Sequence, residues 1–279
     1  MKLKIAATGL GGLIGSRIEY LLKNDIDFVN IRSQDVDITN RDAVTSYINQ
    51  LDVDMMLHLA AMTDVDGCEV RKDDAWKINV EGTRNVFDAA QAKNIPFIYV
   101  STGFVFDGEH PPYVEDSIPH PISYYATTKY EAEKIVSGKG MIIRIDYPYG
   151  HRTAVKNDFV HTLINMLRER KPIKGIVDQI FTPTYIDDIA AAISYLAYNF
   201  TPSVYHIVGS DSLSGIDAIT LIGEVFEIDT DWVDTTTYQE FYKDKAARPR
   251  NNIMKSTRNN FVEMKSFREG LEDLKIIGL

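Results

Sequence analysis

Four short stretches of this 279-residue chain carry residue types that could do chemistry. In TGLGGLIGS, Gly9, Gly12 and Gly15 fall at GxxGxxG spacing. Glycines so placed permit a tight turn, a close approach of backbone to a diphosphate, and close packing of the next helix on its strand. In FVNIRS, Arg32 and Ser33 end an apolar run; in FIYVST, Ser101 and Thr102 do the same with two hydroxyls. In YYATTKY, Tyr125 and Lys129 stand four apart, so on a helix they share one face.

Most Tyr/Lys pairs at that spacing are solvated surface turns, so the companions decide. A glycine triplet after a first strand and before an amphipathic helix offers free N–H groups and a positive dipole end to phosphates. The second strand ends in Arg32-Ser33, where a site for NAD usually has an acid. A guanidinium can meet a 2′-phosphate with two parallel hydrogen bonds, so NADPH is expected and NAD is less favoured. Tyrosine has an unperturbed pKa of ~10, and an ammonium one turn away is expected to lower it. With nicotinamide giving hydride, Tyr125 can give the proton, Lys129 can bond the cofactor ribose, and Thr102 can hold the substrate oxygen. Small residues at Ala60 and Ala61 would let the cofactor lie against the third strand. His58, on an apolar strand, reads as a core histidine.

These residues need a scaffold. KIAATG, FVNIR, MMLHLA, FIYVST and MIIRIDY read as short buried strands. Helical stripes lie between them: Ile14, Ile18, Leu21 and Leu22, then Val44, Tyr47, Ile48 and Leu51. Such alternation predicts an α/β fold, a Rossmann-type doubly wound parallel sheet. Further helices are expected at 156–170, at 187–198 with Asp187 as cap, and near 215–227, with VYHIVG as another strand. No linker rich in Pro, Gly or Ser divides the chain. The expected plan is a cofactor domain of residues 1–147, to which 176–209 return, and a smaller interleaved C-terminal substrate-binding lobe of 148–175 and 210–279.

Composition narrows the partners. The net charge of −10 argues against nucleic acid and anionic membrane as partners. No apolar run approaches ~18 residues, so no membrane span is expected. The start MKLKIAATGLGGLIG makes a poor signal peptide, with its glycines and no small-residue cleavage pattern. Cys68, the single cysteine, reads as a reduced thiol. No Cys/His cluster has zinc spacing, so no metal site is expected. A cytoplasmic protein is the expectation, with a homodimer left open.

Assembled, TGxxGxxG, a Ser/Thr after the fourth strand and YxxxK resemble an extended short-chain dehydrogenase/reductase. Within that superfamily the chain resembles dTDP-4-dehydrorhamnose reductases. YVSTGFVFDG is similar to their STDYVFDG, DVDITN to their DITD, and VKNDFVHTLI to their NNF-containing helix. DQIFTPTYIDDIA is similar to their DQ…PT…LA pattern, VYHIVG to their YH strand, and KAARPRNN to their A-RP-NS stretch. The match runs from residue 5 to about 255. The resemblance implies a catalytic set of Thr102, Tyr125 and Lys129. It implies cofactor contacts at Gly9, Gly12, Leu13, Ile14, Gly15, Asp37, Ile38, Ala61, Met62 and Thr63. Tyr147 sits where the family has a tryptophan against the sugar. The Asp-Tyr after the family's threonine is Gly103-Phe104 here, so both are expected to border the sugar. Glycine there would leave space, and the expected substrate is a nucleotide-linked sugar less hydroxylated than, or configured differently from, the rhamnose precursor, or else a looser choice among several such sugars. The expected activity is NADP(H)-dependent reduction of a keto group on a nucleotide-linked deoxysugar. Two alternatives stay open: a nucleotide-sugar epimerase or dehydratase holding NAD, and a non-catalytic regulatory subunit resembling that of methionine adenosyltransferase.

Overall fold

The computed structural model describes residues 2–151 and 157–278. Its centre is a parallel sheet of six strands among the described residues. In chain order they are β1 (Leu3–Thr8), β2 (Ile26–Ile31), β3 (Met55–His58), β4 (Phe97–Thr102), β5 (Met141–Ile145) and the strand Val204–His206. From one edge to the other, the order is Val204–His206, β5, β4, β3, β1, β2. The expected Rossmann-type doubly wound sheet is thus present. The chain leaves β1 toward β2 and then returns to lay β3 on the other side of β1. That reversal opens a crevice at the carboxyl ends of β1 and β3, where ligands bind in such sheets.

Period-two alternation splits the strands between two cores. Ile5, Ala7, Leu57 and Ile98 face one layer, with helix α1 (Leu13–Leu22) and helix Ile186–Tyr198. Ala6, Met56, Phe97 and Tyr99 face the other, with α2 (Arg41–Asn49) and two later helices described below. Within the stripes, Ile18, Leu22, Val44 and Ile48 are buried and Ile14, Leu21, Tyr47 and Leu51 pack partly buried against them. Each full burial contributes about 1.5–3 kcal/mol. Asp187 does not cap its helix, which starts at Ile186. It accepts two hydrogen bonds from the Arg17 guanidinium, at 2.7 and 2.6 Å, and so ties that helix to α1.

Between β3 and β4 the chain forms α3 (Val65–Val70), α4 (Lys72–Trp76) and α5 (Thr83–Ala92), with a π-helical turn at Lys77–Gly82. The helix carrying YYATTKY is α6 (Tyr124–Val136). Ser123 caps it by accepting from the Ala126 N–H, and this sets the helix phase that turns Tyr125, Lys129, Ala132 and Val136 inward. A third core lies beyond the sheet, built on Tyr149, Ile164, Phe181, Ile222, Phe267 and Leu271. It joins helices Phe159–Arg168, Gly215–Phe226 and Phe267–Ile277. The first is shorter than the expected 156–170 because Asp158 caps it, accepting from the His161 N–H. Val155 and Lys156 lie outside the described residues. No helix among the described residues is long and apolar enough to cross a membrane.

The glycines at the crevice have unequal duties. A Cβ on Gly15 would stand 2.5 Å from the Gly9 carbonyl oxygen and from Leu10 Cα, both backbone, whereas one on Gly11 would meet nothing within 4 Å. Gly15→Ala should therefore destabilise the fold by about 1–2 kcal/mol, overpacking outweighing the better helix propensity of alanine. Gly11→Ala should stay within about 0.5 kcal/mol of the parent. Urea denaturation of the two variants side by side checks this.

Candidate active site

A cavity of about 1140 Å³ opens at the carboxyl ends of β1, β3 and β4. Its first wall is the glycine turn. Gly9 takes a positive φ of 77°, and a Cβ there would stand 2.7 Å from the Ala60 nitrogen. Only glycine lets β1 and β3 approach this closely. The N-terminus of α1 follows, with Gly12 at its cap, no side-chain cap and no acidic residue in its first turn. Its N–H groups and dipole thus face the cavity unneutralised, as a diphosphate requires. Leu13, Ile14, Ala61, Met62 and Thr63 also line the cavity, as do Arg32, Ser33, Asp37 and Ile38. Asp37 Oδ1 accepts from the Thr39 N–H and hydroxyl. The glycine cradle, the free helix end and the cation at the β2 end fit a dinucleotide.

The second wall holds the hydroxyls and the amine. Thr102, Tyr125 and Lys129 line the same cavity. Lys129 Nζ donates to the Val100 carbonyl at 2.8 Å and lies 4.2 Å from the centroid of the Tyr99 ring. Burial draws its pKa down to about 7, against a smaller upward pull from Glu133. Tyr125 departs from expectation. Burial pushes its pKa well up; a hydrogen bond with Thr102 acts the other way, and Cys68 and Asp146 raise it further. The expected lowering by Lys129 is absent because the desolvated amine is directed at Val100. The Ser101 hydroxyl is buried without a hydrogen-bond partner among the described residues, on the cavity wall. His58 is a core residue: its ring nitrogens meet the Thr8 and Thr83 hydroxyls at 2.7 and 3.1 Å, and burial lowers its pKa to about 3. Cys68 is a buried free thiol, raised to about 11 by burial.

Aromatic rings form the third wall. Tyr147, with a positive φ of 38°, holds a strained backbone that turns its ring into this corner. Its ring centroid lies 4.3 Å from Phe181 and 5.7 Å from Phe104, and Phe104 meets Tyr125 edge-on at 6.2 Å. Gly103 stands apart from the cavity. The place of its missing side chain is filled by Met254 and, at 2.7 and 3.1 Å, by Asn252 Nδ2 and Asp146 Oδ1. It leaves no space for a sugar, contrary to expectation, because the 3₁₀ turn Gly103–Val105 rotates it inward.

Two residues of this neighbourhood were not found by sequence reasoning. Asn79, in the π-helical turn, accepts from the Met62 N–H at 2.7 Å and donates to the Met62 carbonyl and to the Thr128 hydroxyl. Thr128 in turn donates to the Tyr125 carbonyl, so one side chain joins the β3 loop to α6. An asparagine inside a helical run gives no such signal; the widened turn does, since π-turns gather at functional sites. The second is Asp146, fully buried, accepting from the Thr182 N–H at 3.0 Å and from Asn252 Nδ2 at 2.9 Å. Burial raises its pKa to about 8 despite these bonds.

Fold and site together define an oxidoreductase of the extended short-chain dehydrogenase/reductase class. The family model described as "RmlD substrate binding domain" matches residues 3–275, and the chain belongs to that family. It is 31% identical to the dTDP-4-dehydrorhamnose reductase of Aggregatibacter actinomycetemcomitans over 79% of each chain. A solved dTDP-4-dehydrorhamnose reductase from Bacillus anthracis, in complex with NADP, superimposes with a TM-score of 0.92 at 32% identity, over 99% of this chain and 100% of that one. The methionine adenosyltransferase 2 subunit beta of Pongo abelii is 26% identical over 89% of this chain and 79% of its own.

Asp146 yields a pH-dependent prediction. Its folded pKa is raised, so above the ordinary carboxylate range the unfolded chain ionises while the folded one keeps its proton up to about pH 8. The folded state then binds more protons, and stability falls as pH rises through that window. Asp146→Asn removes this penalty, and the unpartnered Asn252 Oδ1 can turn to accept from the new amide. Its stability advantage over the parent should grow by more than about 1 kcal/mol between pH ~5 and pH ~8. Denaturation midpoints at the two pH values check it.

Proposed function

We propose that this chain is an NADPH-dependent reductase of a keto group on a nucleotide-linked deoxysugar, of the dTDP-4-dehydrorhamnose reductase type. The observation that carries the reading is the meeting, in one cavity, of the glycine cradle, Arg32, the Thr102, Tyr125 and Lys129 set, and an aromatic corner. The backbone at Gly9, Gly12 and Gly15, with Leu13 and Ile14, would hold the diphosphate. Arg32, Asp37 and Ile38 would flank the adenosine half, and Ala60 to Thr63 the rest. NADPH bound there would supply the hydride.

The chain's own residues supply the remainder. Thr102 holds the substrate carbonyl oxygen. Tyr125 gives that oxygen its proton, and the raised pKa of its phenol keeps it in the protonated, donating form at neutral pH. Lys129 stands one turn on, where its amine can serve the cofactor ribose. Phe104 and Tyr147 offer ring faces to the apolar side of a sugar. We read the segments 148–175 and 210–279 as the lobe that takes the nucleotide-sugar, with residues 1–147 and the returning 176–209 as the cofactor domain. With Gly103 turned away, the departure that bears on substrate is Phe104, which has no hydroxyl to offer a sugar. A second reading, a non-catalytic subunit, is favoured by the similarity to methionine adenosyltransferase 2 subunit beta. The Tyr125 and Lys129 pair argues against it.

NADPH oxidation measured across several 4-keto sugar nucleotides, dTDP-4-dehydrorhamnose included, separates the two. At least one should be turned over with kcat/KM above ~10⁴ M⁻¹s⁻¹. Turnover of none would favour the subunit reading. Tyr125→Phe should leave the Kd for NADPH nearly unchanged and cut kcat by ~10²-fold or more. Full activity in that variant would remove Tyr125 from the proton transfer.

A further inference from the structure

Arg32 does not hang free at the end of β2. Its Nε and Nη2 donate to the two carboxylate oxygens of Asp35 at 2.8 and 3.0 Å, and its own N–H donates to Asp35 Oδ2 at 3.2 Å. The turn beneath the pair is closed independently, by the Asp35 and Val36 N–H groups on the Arg32 carbonyl. Arg32 and Ser33 line the cavity, and Asp35 stands outside its wall. A guanidinium has two edges that can grip an anion side by side. Asp35 takes the Nε/Nη2 edge. Nη1 has no hydrogen-bond partner among the described residues, and three of the five N–H donors stay available.

We propose that Asp35 is a positioning residue that sets the chain's preference for a 2′-phosphorylated dinucleotide, by holding Arg32 from behind so that its free edge meets the phosphate. The proposal rests on the cofactor reading above and goes beyond it, since the Arg32 side chain, 57% exposed even when paired, would be long and mobile without Asp35. Two effects of Asp35 oppose each other. Its negative charge repels a phosphate, but at so exposed a site water and salt screen that repulsion. Fixing a rotamer-rich side chain before binding removes an ordering cost that would otherwise weaken affinity about three- to tenfold. Orientation outweighs repulsion.

The experiment measures Kd for NADPH and for NADH by fluorescence titration of the purified full chain, in parent, Asp35→Ala, Asp35→Asn, Arg32→Ala and the double variant. Asp35→Ala should weaken NADPH about three- to tenfold and leave NADH within twofold, since NADH has no phosphate to meet. Asp35→Asn, which keeps one acceptor for the guanidinium, should fall between. In the Arg32→Ala background, Asp35→Ala should have no further effect. An unchanged or tighter NADPH Kd in Asp35→Ala overturns the proposal, and so does an equal loss for both cofactors, which would mark a merely structural turn. If Arg32→Ala itself leaves the NADPH-to-NADH ratio unchanged, the placement of the phosphate at Arg32 fails, and the positioning role with it.

Discussion

The distance between backbones at the crevice governs everything else in this molecule. Gly15 lets α1 press its first turn onto the Gly9–Leu10 backbone, and Gly9 lets β1 and β3 end within contact of each other. A helix end carries its field only about one turn outward. Had the helix been held off by side chains, its free N–H groups would point into solvent instead of at the place where two strands diverge. The apolar stripe of α1 and the Arg17–Asp187 bridge keep it there.

Around that fixed point the site concentrates groups whose usual charge is costly to bury. Lys129, Tyr125, Asp146 and His58 are each displaced toward their neutral forms. Their partners are mostly carbonyls, hydroxyls and amides, not opposite charges. Neutral groups hydrogen-bonded in a dry wall can be held without the desolvation cost of an ion pair. The arrangement holds a protonated phenol one helical turn from an amine whose pKa burial brings down to about 7.

What a reader of the sequence could see follows from how local each signal is. The glycine spacing, the two apolar stripes and the four-residue step from Tyr125 to Lys129 are one-dimensional facts, and each maps to a single turn or helix face. The cap at Ser123 is local too, and it fixes the phase of α6. Other features were illegible because they depend on residues far apart in the chain. Gly103 read as open space, since nothing nearby in the sequence reveals that Asn252 and Met254 fill it. Asp146 reads as part of a strand end, and its hydrogen-bond partners, Thr182 and Asn252, lie 36 and 106 residues away in the chain. Asn79 depends on a widened turn that no periodicity announces. The Tyr125 pKa departs from its spacing for a related reason: helix spacing gives the neighbour but not where its amine points.

The sixth strand has a consequence for how the protein is made. Val204–His206 pairs with β5 and closes one side of the central sheet, although about 60 residues separate the two strands in the chain. Synthesis proceeds from the N-terminus at roughly 5–20 residues per second, so β5 waits several seconds beyond its own emergence for that neighbour. During that interval an apolar strand offers an unpaired edge to any other extended chain. The nascent polypeptide is therefore most vulnerable to mispairing after the glycine turn and the Tyr125 helix have both been made, while the strand that seals the sheet is still inside the ribosome.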